Sequence, residues 1–166
     1  MHAMIADAAV FIAVLLLLVA AAGDVATRMV SNKLSILIAL DGILLQSTAG
    51  AGLAPYGAAL AVFVAGAICW RVGLMGGGDV KLLAAAALLV PAPLVPGLIL
   101  SVALAGGILG LLYVGLRLLV GKPSVRRSRV LLWRLLRIEQ YRISRGFSLP
   151  YASAIAAGAA FVLLEG

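Results

Sequence analysis

Two aspartates carry the chemistry that this sequence can do. Asp24 follows one apolar run and Asp79 precedes another, and ionisable groups are costly in or near hydrocarbon. Two carboxylates brought within a few ångströms cannot both ionise easily, so one keeps a proton while the other stays charged. The charged one can take a proton from water as it attacks a peptide carbonyl, and the protonated one can donate to the developing oxyanion or to the leaving amine. Such a pair needs no metal, no cofactor and no nucleophilic side chain. The remaining acids are placed differently: Glu165 is terminal, Glu139 lies among arginines, Asp7 is near the start, and Asp41 falls eight residues past Lys33. That puts Asp41 about 12 Å deeper than the other two at 1.5 Å per residue. It is either a structural acid bonded to a neighbouring helix or an acid with a catalytic role.

The surroundings of Asp79 suit a peptide substrate. Gly76, Gly77 and Gly78 strip side chains from the approach to the acid, and glycine admits dihedrals closed to other residues. Lys81, two residues on, would favour the charged form of a nearby carboxylate. The residues alone leave a second reading open, a plain glycine loop with an acid at a helix start, where a carboxylate is stabilised anyway.

The elements that must position these residues are membrane helices. Of 166 residues 64% are hydrophobic and 11% charged, with a mean hydropathy of +1.20, too apolar for a surface kept in water. The apolar residues are mostly Ala, Leu, Val and Gly, which suits helices packed closely through small side chains. Apolar runs predict six spans in a single all-α polytopic domain over 1–166: Met4 to Ala22, Leu34 to Ser47, Pro55 to Trp70, Lys81 to Val90, Pro96 to Val120 and Phe147 to Leu164. The breaks between them carry turn residues at 47–52, at Pro91-Ala92-Pro93 and at the triple glycine. The lone Cys69 excludes an internal disulfide framework.

The 13 basic residues record topology rather than nucleic acid. Arg28 and Lys33 lie between spans one and two, Arg71 and Lys81 flank the loop between three and four, and the rest sit at or within the loop between five and six. All fall on one face, which the positive-inside rule makes cytoplasmic, with both termini outside. Ala20-Ala21-Ala22 resembles a signal-cleavage site, but the segment before it has no Lys or Arg. Within 121–146, arginines alternate with Val130, Leu131, Leu132, Trp133, Leu135, Leu136 and Ile138. This predicts a basic amphipathic helix on the inner leaflet, held by anionic headgroups.

Taken together, these residues resemble the prepilin peptidases, membrane aspartyl proteases related in design to presenilin-type GxGD proteases. Gly76-Gly77-Gly78-Asp79-Val80-Lys81 matches that family's GxGDxK motif. Asp24, followed by Arg28 and then Val30-Ser31-Asn32, resembles its first catalytic segment, an aspartate followed by a basic residue and Ile-Pro-Asn, with Ser31 where proline usually stands. Pro150-Tyr151-Ala152 with Ala154-Ile155 and Gly158 is similar to its closing helix. The resemblance implies Asp24 and Asp79 as catalytic residues, with Arg28, Asn32, Lys81 and the three glycines shaping the site. It implies removal of a short basic leader from prepilins or pseudopilins at the cytoplasmic face of a bacterial inner membrane, commonly just after a glycine. Bifunctional members also methylate the new N-terminus and carry a cytoplasmic insertion with paired cysteines. This chain has none and looks like a compact, peptidase-only member of the Flp or Tad type. A reading from a different class is a small transporter or channel subunit in which Asp24, Asp41 and Asp79 relay a cation or proton. Against it, two of the three acids sit at one surface rather than spaced across the bilayer. A purely structural subunit would leave the glycine loop and its acid without a role.

Overall fold

The computed structural model describes residues 2–119 and 150–165. Their regular structure is helical throughout: α1 His2–Thr27, α2 Asn32–Thr48, α3 Ala54–Arg71, α4 Gly77–Leu88, a 3-10 turn at Ala92–Leu94, α5 Val95–Leu119 and α6 Tyr151–Glu165. No strand occurs among the described residues. The predicted basic amphipathic helix at 121–146 lies outside them.

Three stretches are long and apolar enough to cross a membrane: Ala6–Thr27, Ala54–Arg71 and Ala92–Leu116. The helices α2, α4 and α6 have 17, 12 and 15 residues. At 1.5 Å per residue they span about 26, 18 and 22 Å, less than the roughly 30 Å of a hydrocarbon core. The six expected spans thus correspond to six α-helices among the described residues, three of them of crossing length.

The chain divides into two compact units, Met1–Ala105 with Pro150–Gly166, and Gly106–Leu149. The second is described only over 106–119, where it continues α5 as helix. Within the first, α4 is the central element, packed against α3, α2 and α6, while α1 packs against α2 and α6. The shortest helix is central because it is apolar nearly all round: Val80, Leu82, Leu83, Ala85, Ala86 and Ala87 are all buried. Its run of alanines lets neighbouring backbones come close. At Gly42 the approach is closest, since a Cβ there would lie 2.7 Å from the Leu88 Cβ and 2.8 Å from its carbonyl carbon. Gln46, buried in α2, donates its Nε2 to the Leu88 carbonyl at 2.9 Å. It thereby satisfies one of the acceptors left open at the end of α4.

The helix ends follow from local sequence. Both α2 and α3 close in paired 6→1 and 5→2 hydrogen bonds around a glycine in the left-handed region. At α2 these are Ala51 N–H to Gln46 and Gly50 N–H to Ser47, with Gly50 at φ 64°; at α3 they are Leu74 N–H to Cys69 and Gly73 N–H to Trp70, with Gly73 at φ 77°. Pro55 stands in the first turn of α3, where its missing N–H costs nothing.

Candidate functional site

Asp24 lies inside α1, one turn before its end, rather than beyond the helix as the apolar run ending at Ala22 suggested. Its main chain and its side chain are both held. Arg28 donates its backbone N–H to the Asp24 carbonyl at 2.7 Å, a single 5→1 bond that closes the helix through a residue in the left-handed region. Arg28 has φ 57° and is the one non-glycine with positive φ among the described residues. A glycine normally takes such a position, so an arginine there is a strained choice of the kind that collects at functional sites. The Asp24 side chain is 5% exposed. Its Oδ2 accepts the backbone N–H of Ala152 at 2.9 Å, within the interior. Ala152 is the second residue of α6, so this carboxylate takes up a first-turn donor that has no partner within its own helix.

Asp79 is the third residue of α4 after the N-cap Gly76. It lies ahead of the apolar stretch 82–90 that forms the buried part of that segment, and it is half-buried. Its carboxylate turns back over Gly76 and bonds that backbone amide, as an acid at the third position of a capped helix does. Of the groups around it, the charge of Asp24 and the Gly76 amide both act on it. The two aspartates from α1 and α4 are therefore brought near enough for the charge of one to act on the protonation of the other.

The glycines act through space, not through unusual dihedrals. None of Gly76, Gly77 and Gly78 has positive φ, and Gly77 and Gly78 form the first turn of α4 instead of a loop. A Cβ on Gly76 would stand 2.7 Å from the Asp79 Oδ2, one on Gly78 3.2 Å from the Val30 Cβ, and one on Gly77 3.4 Å from the Trp70 Nε1. The Gly76→Ala variant is accordingly expected to fold normally, because a carboxylate is free to swing aside. It should cleave substrate roughly 10²-fold more slowly, the scale of loss for a reacting group displaced by about 1 Å. Unchanged melting with depressed kcat checks this.

Lys81 serves a different end from the one expected. It donates to the Asn32 Oδ1 at 2.9 Å, because residues two apart on a helix do not face each other. The bond ties the start of α4 to the start of α2. Just before Asn32, Ser31 is the N-cap of α2 with φ −68° and ψ 130°. That φ is the one proline imposes, so the turn keeps its form with serine in the place where the resembling family has proline. Asp41 is buried in α2 away from this cluster, and its Oδ2 has no hydrogen-bond partner among the described residues.

Reasoning from sequence missed the Ala152 amide and the conformational role of Gly73. The first is a backbone donor with no signature. The second is legible in the sequence as a glycine just past the end of an apolar helix.

With Asp24 and Asp79 approaching each other from α1 and α4, the sequence pattern of the type IV leader peptidase family matches residues 11–111, a stretch that contains both acids and most of the bundle around them. The chain belongs to the type IV leader peptidase family. Membership makes it a peptidase, and with its three crossing-length apolar helices a membrane protein. No curated protein and no solved structure matches the chain. The family's matched region ends before α6, so the contact between Asp24 and Ala152 reaches beyond it.

Proposed function

We propose that the chain is an aspartic endopeptidase that removes the short basic leader of prepilin or pseudopilin precursors. The observation that carries this reading is that the stretch matched by the leader peptidase family holds both acids, Asp24 buried in the last turn of α1 and Asp79 half-buried in the first turn of α4. A proton shared between two unlike carboxylates near neutral pH is what water activation without a covalent intermediate requires. Gly76 has no side chain to bar the approach of an extended peptide beside Asp79, and Gly78 makes room for Val30. Arg28 and Asn32 shape the site by closing α1 and opening α2 next to it, and Lys81 locks α4 onto Asn32.

The site belongs at the cytoplasmic face of the inner membrane, with the chain crossing six times and both termini outside. Supporting this, Arg28 and Lys33 lie at the junction of α1 and α2, Arg71 ends α3, and Lys81 begins α4. The Lys81 bond to Asn32 holds two of those junctions together on one side. The short helices cross where the bilayer thins or where polar flanks complete their length. The basic segment at 121–146 binds anionic headgroups. Without an insertion bearing paired cysteines, the enzyme leaves the new N-terminus unmethylated.

Purified protein incubated with a pilin precursor and a methyl donor tests the whole reading, with product masses as the readout. The expected result is a single cut behind the basic leader and a product of unmodified mass. An intact precursor after prolonged incubation would overturn it, and a mass gain of one methyl group would overturn the peptidase-only assignment.

A further inference from the structure

A groove of about 620 Å³ opens between α2, α3 and α4. Ala59 and Ala85 are buried along its floor, while Ile36, Leu60 and Phe63 are exposed along its rim. Its polar lining is confined to the two ends. Asn32, Ser35 and Lys81 stand at one, where α2 and α4 begin, and Tyr56 at the other, its hydroxyl 3.4 Å from the Ser47 Oγ.

The end at Asn32 and Lys81 suits an anion. Lys81 is exposed, and its bond at 2.9 Å goes to the neutral amide oxygen of Asn32, which leaves the ammonium charge in place. No acid is among the described residues that line the groove. The N-cap Ser31 makes no side-chain bond to the first turn of α2, a helix of 17 residues, so the positive end of that helix also faces this region without a local acceptor. Ser35 is 6% exposed, and its Oγ has no hydrogen-bond partner among the described residues. Three residues past Asn32, it lies about 4.5 Å farther along the axis of α2. A buried hydroxyl without a partner is costly, and an acceptor brought in by a ligand removes that cost. The occupant is therefore anionic at one end, bears a second acceptor a few ångströms on, and is apolar beyond. A peptide carrying a basic leader has the wrong charge for Lys81.

We propose that this groove binds one anionic phospholipid from the surrounding bilayer, with its phosphate at Lys81 and the start of α2, an ester carbonyl at Ser35 and its acyl chains over Ala59 and Ala85. Such a lipid covers the open side of α4, whose 12 residues span about 18 Å of a hydrocarbon core of roughly 30 Å. It is held by the helices themselves and not by the basic segment at 121–146.

Full-length protein in a neutral detergent, titrated with phosphatidylglycerol or with phosphatidylcholine of the same chains, tests the site by native mass spectrometry. The tightest-bound phosphatidylglycerol should be retained about fivefold better than phosphatidylcholine, and its addition should raise the melting temperature. Ser35→Ala and Lys81→Gln should each weaken that retention by about fivefold, and Ala39→Phe, which fills the groove from α2, should abolish it. Phosphatidylglycerol held equally by the wild type and all three variants would assign it to the segment at 121–146 and overturn the proposal. Equal retention of the two lipids would reduce it to bulk lipid and overturn it as well. An Ala39→Phe protein with unchanged lipid retention but a raised KM for precursor would give the groove to the substrate instead. Where Ala39→Phe does not accumulate, Ser35→Ala decides, since it removes a single oxygen.

Discussion

Asp24→Asn and Asp79→Asn are each expected to slow precursor cleavage by about 10²–10⁴-fold, the range that a positioned acid or base contributes, while both proteins accumulate normally in the membrane. Asparagine keeps the shape of aspartate and an oxygen able to accept the Ala152 N–H, so the bond measured at 2.9 Å survives in Asp24→Asn. Asp24→Ala should behave differently. It leaves a buried amide at the start of α6 without an acceptor, at a cost of about 1–3 kcal/mol, and the thermal transition in mild detergent should fall along with activity. Asp79→Ala lacks this second penalty, because Asp79 is half-buried and its partner Gly76 is exposed. A comparison of the four variants by cleavage rate and by melting separates the chemical role of Asp24 from its structural one. Equal melting of Asp24→Ala and Asp24→Asn would contradict the capping contact.

The largest expected effects on stability lie away from the acids, at two glycines where helix backbones cross. An alanine Cβ at 158 would stand 2.6 Å from the Val102 backbone nitrogen and 2.8 Å from its Cα, and one at 42 would stand 2.7 Å from the Leu88 Cβ and 2.8 Å from its carbonyl carbon. These neighbours are main-chain atoms or the first atom of a side chain, so no rotamer change relieves the clash and a helix must move. The Gly158 crossing also carries a hydrogen bond from the Ser101 Oγ to the Gly158 carbonyl, at 3.1 Å. Gly42→Ala and Gly158→Ala should each cost about 1–3 kcal/mol or more. Gly57→Ala is the control: nothing lies within 4 Å of its Cβ and its φ is ordinary. There alanine should stabilise α3 by about 0.5–1 kcal/mol. Melting temperatures of the three purified variants check the contrast, and equal melting of all three would contradict the packing described here.

What could be read from the sequence was whatever is expensive to put in a membrane. Asp24 and Asp79 stood out because charge in an apolar chain requires a reason. The helices followed from apolar runs, with errors at the ends: α1 continues past Ala22 to Thr27 and α4 starts at Gly77 rather than Lys81. Both errors have one origin, since polar residues and glycines that mark the edge of an apolar run also serve as the first or last turn of a helix. The packing order could not be read. That the 12 residues of α4 are apolar nearly all round says that they are buried, but which helices surround them depends on which neighbours present Gly42, Gly66 and small side chains to α4. Least legible were backbone contacts. The Ala152 amide bonds the Asp24 carboxylate across 128 positions of sequence, and any residue except proline could have supplied it. Lys81 shows the converse failure: proximity in sequence suggested a partner for Asp79, whereas helix geometry turned the side chain toward Asn32.

The central claim is that Asp24 and Asp79 work as one unit, and the rate of precursor cleavage by the Asp24→Asn, Asp79→Asn and doubly substituted proteins tests it most directly. Residues that act as a unit are not additive, because once one is gone the other has nothing left to contribute. The double variant should therefore be no slower than the slower of the two single variants. Losses that multiply in the double variant, or a single variant that cleaves at the wild-type rate, would contradict the pair.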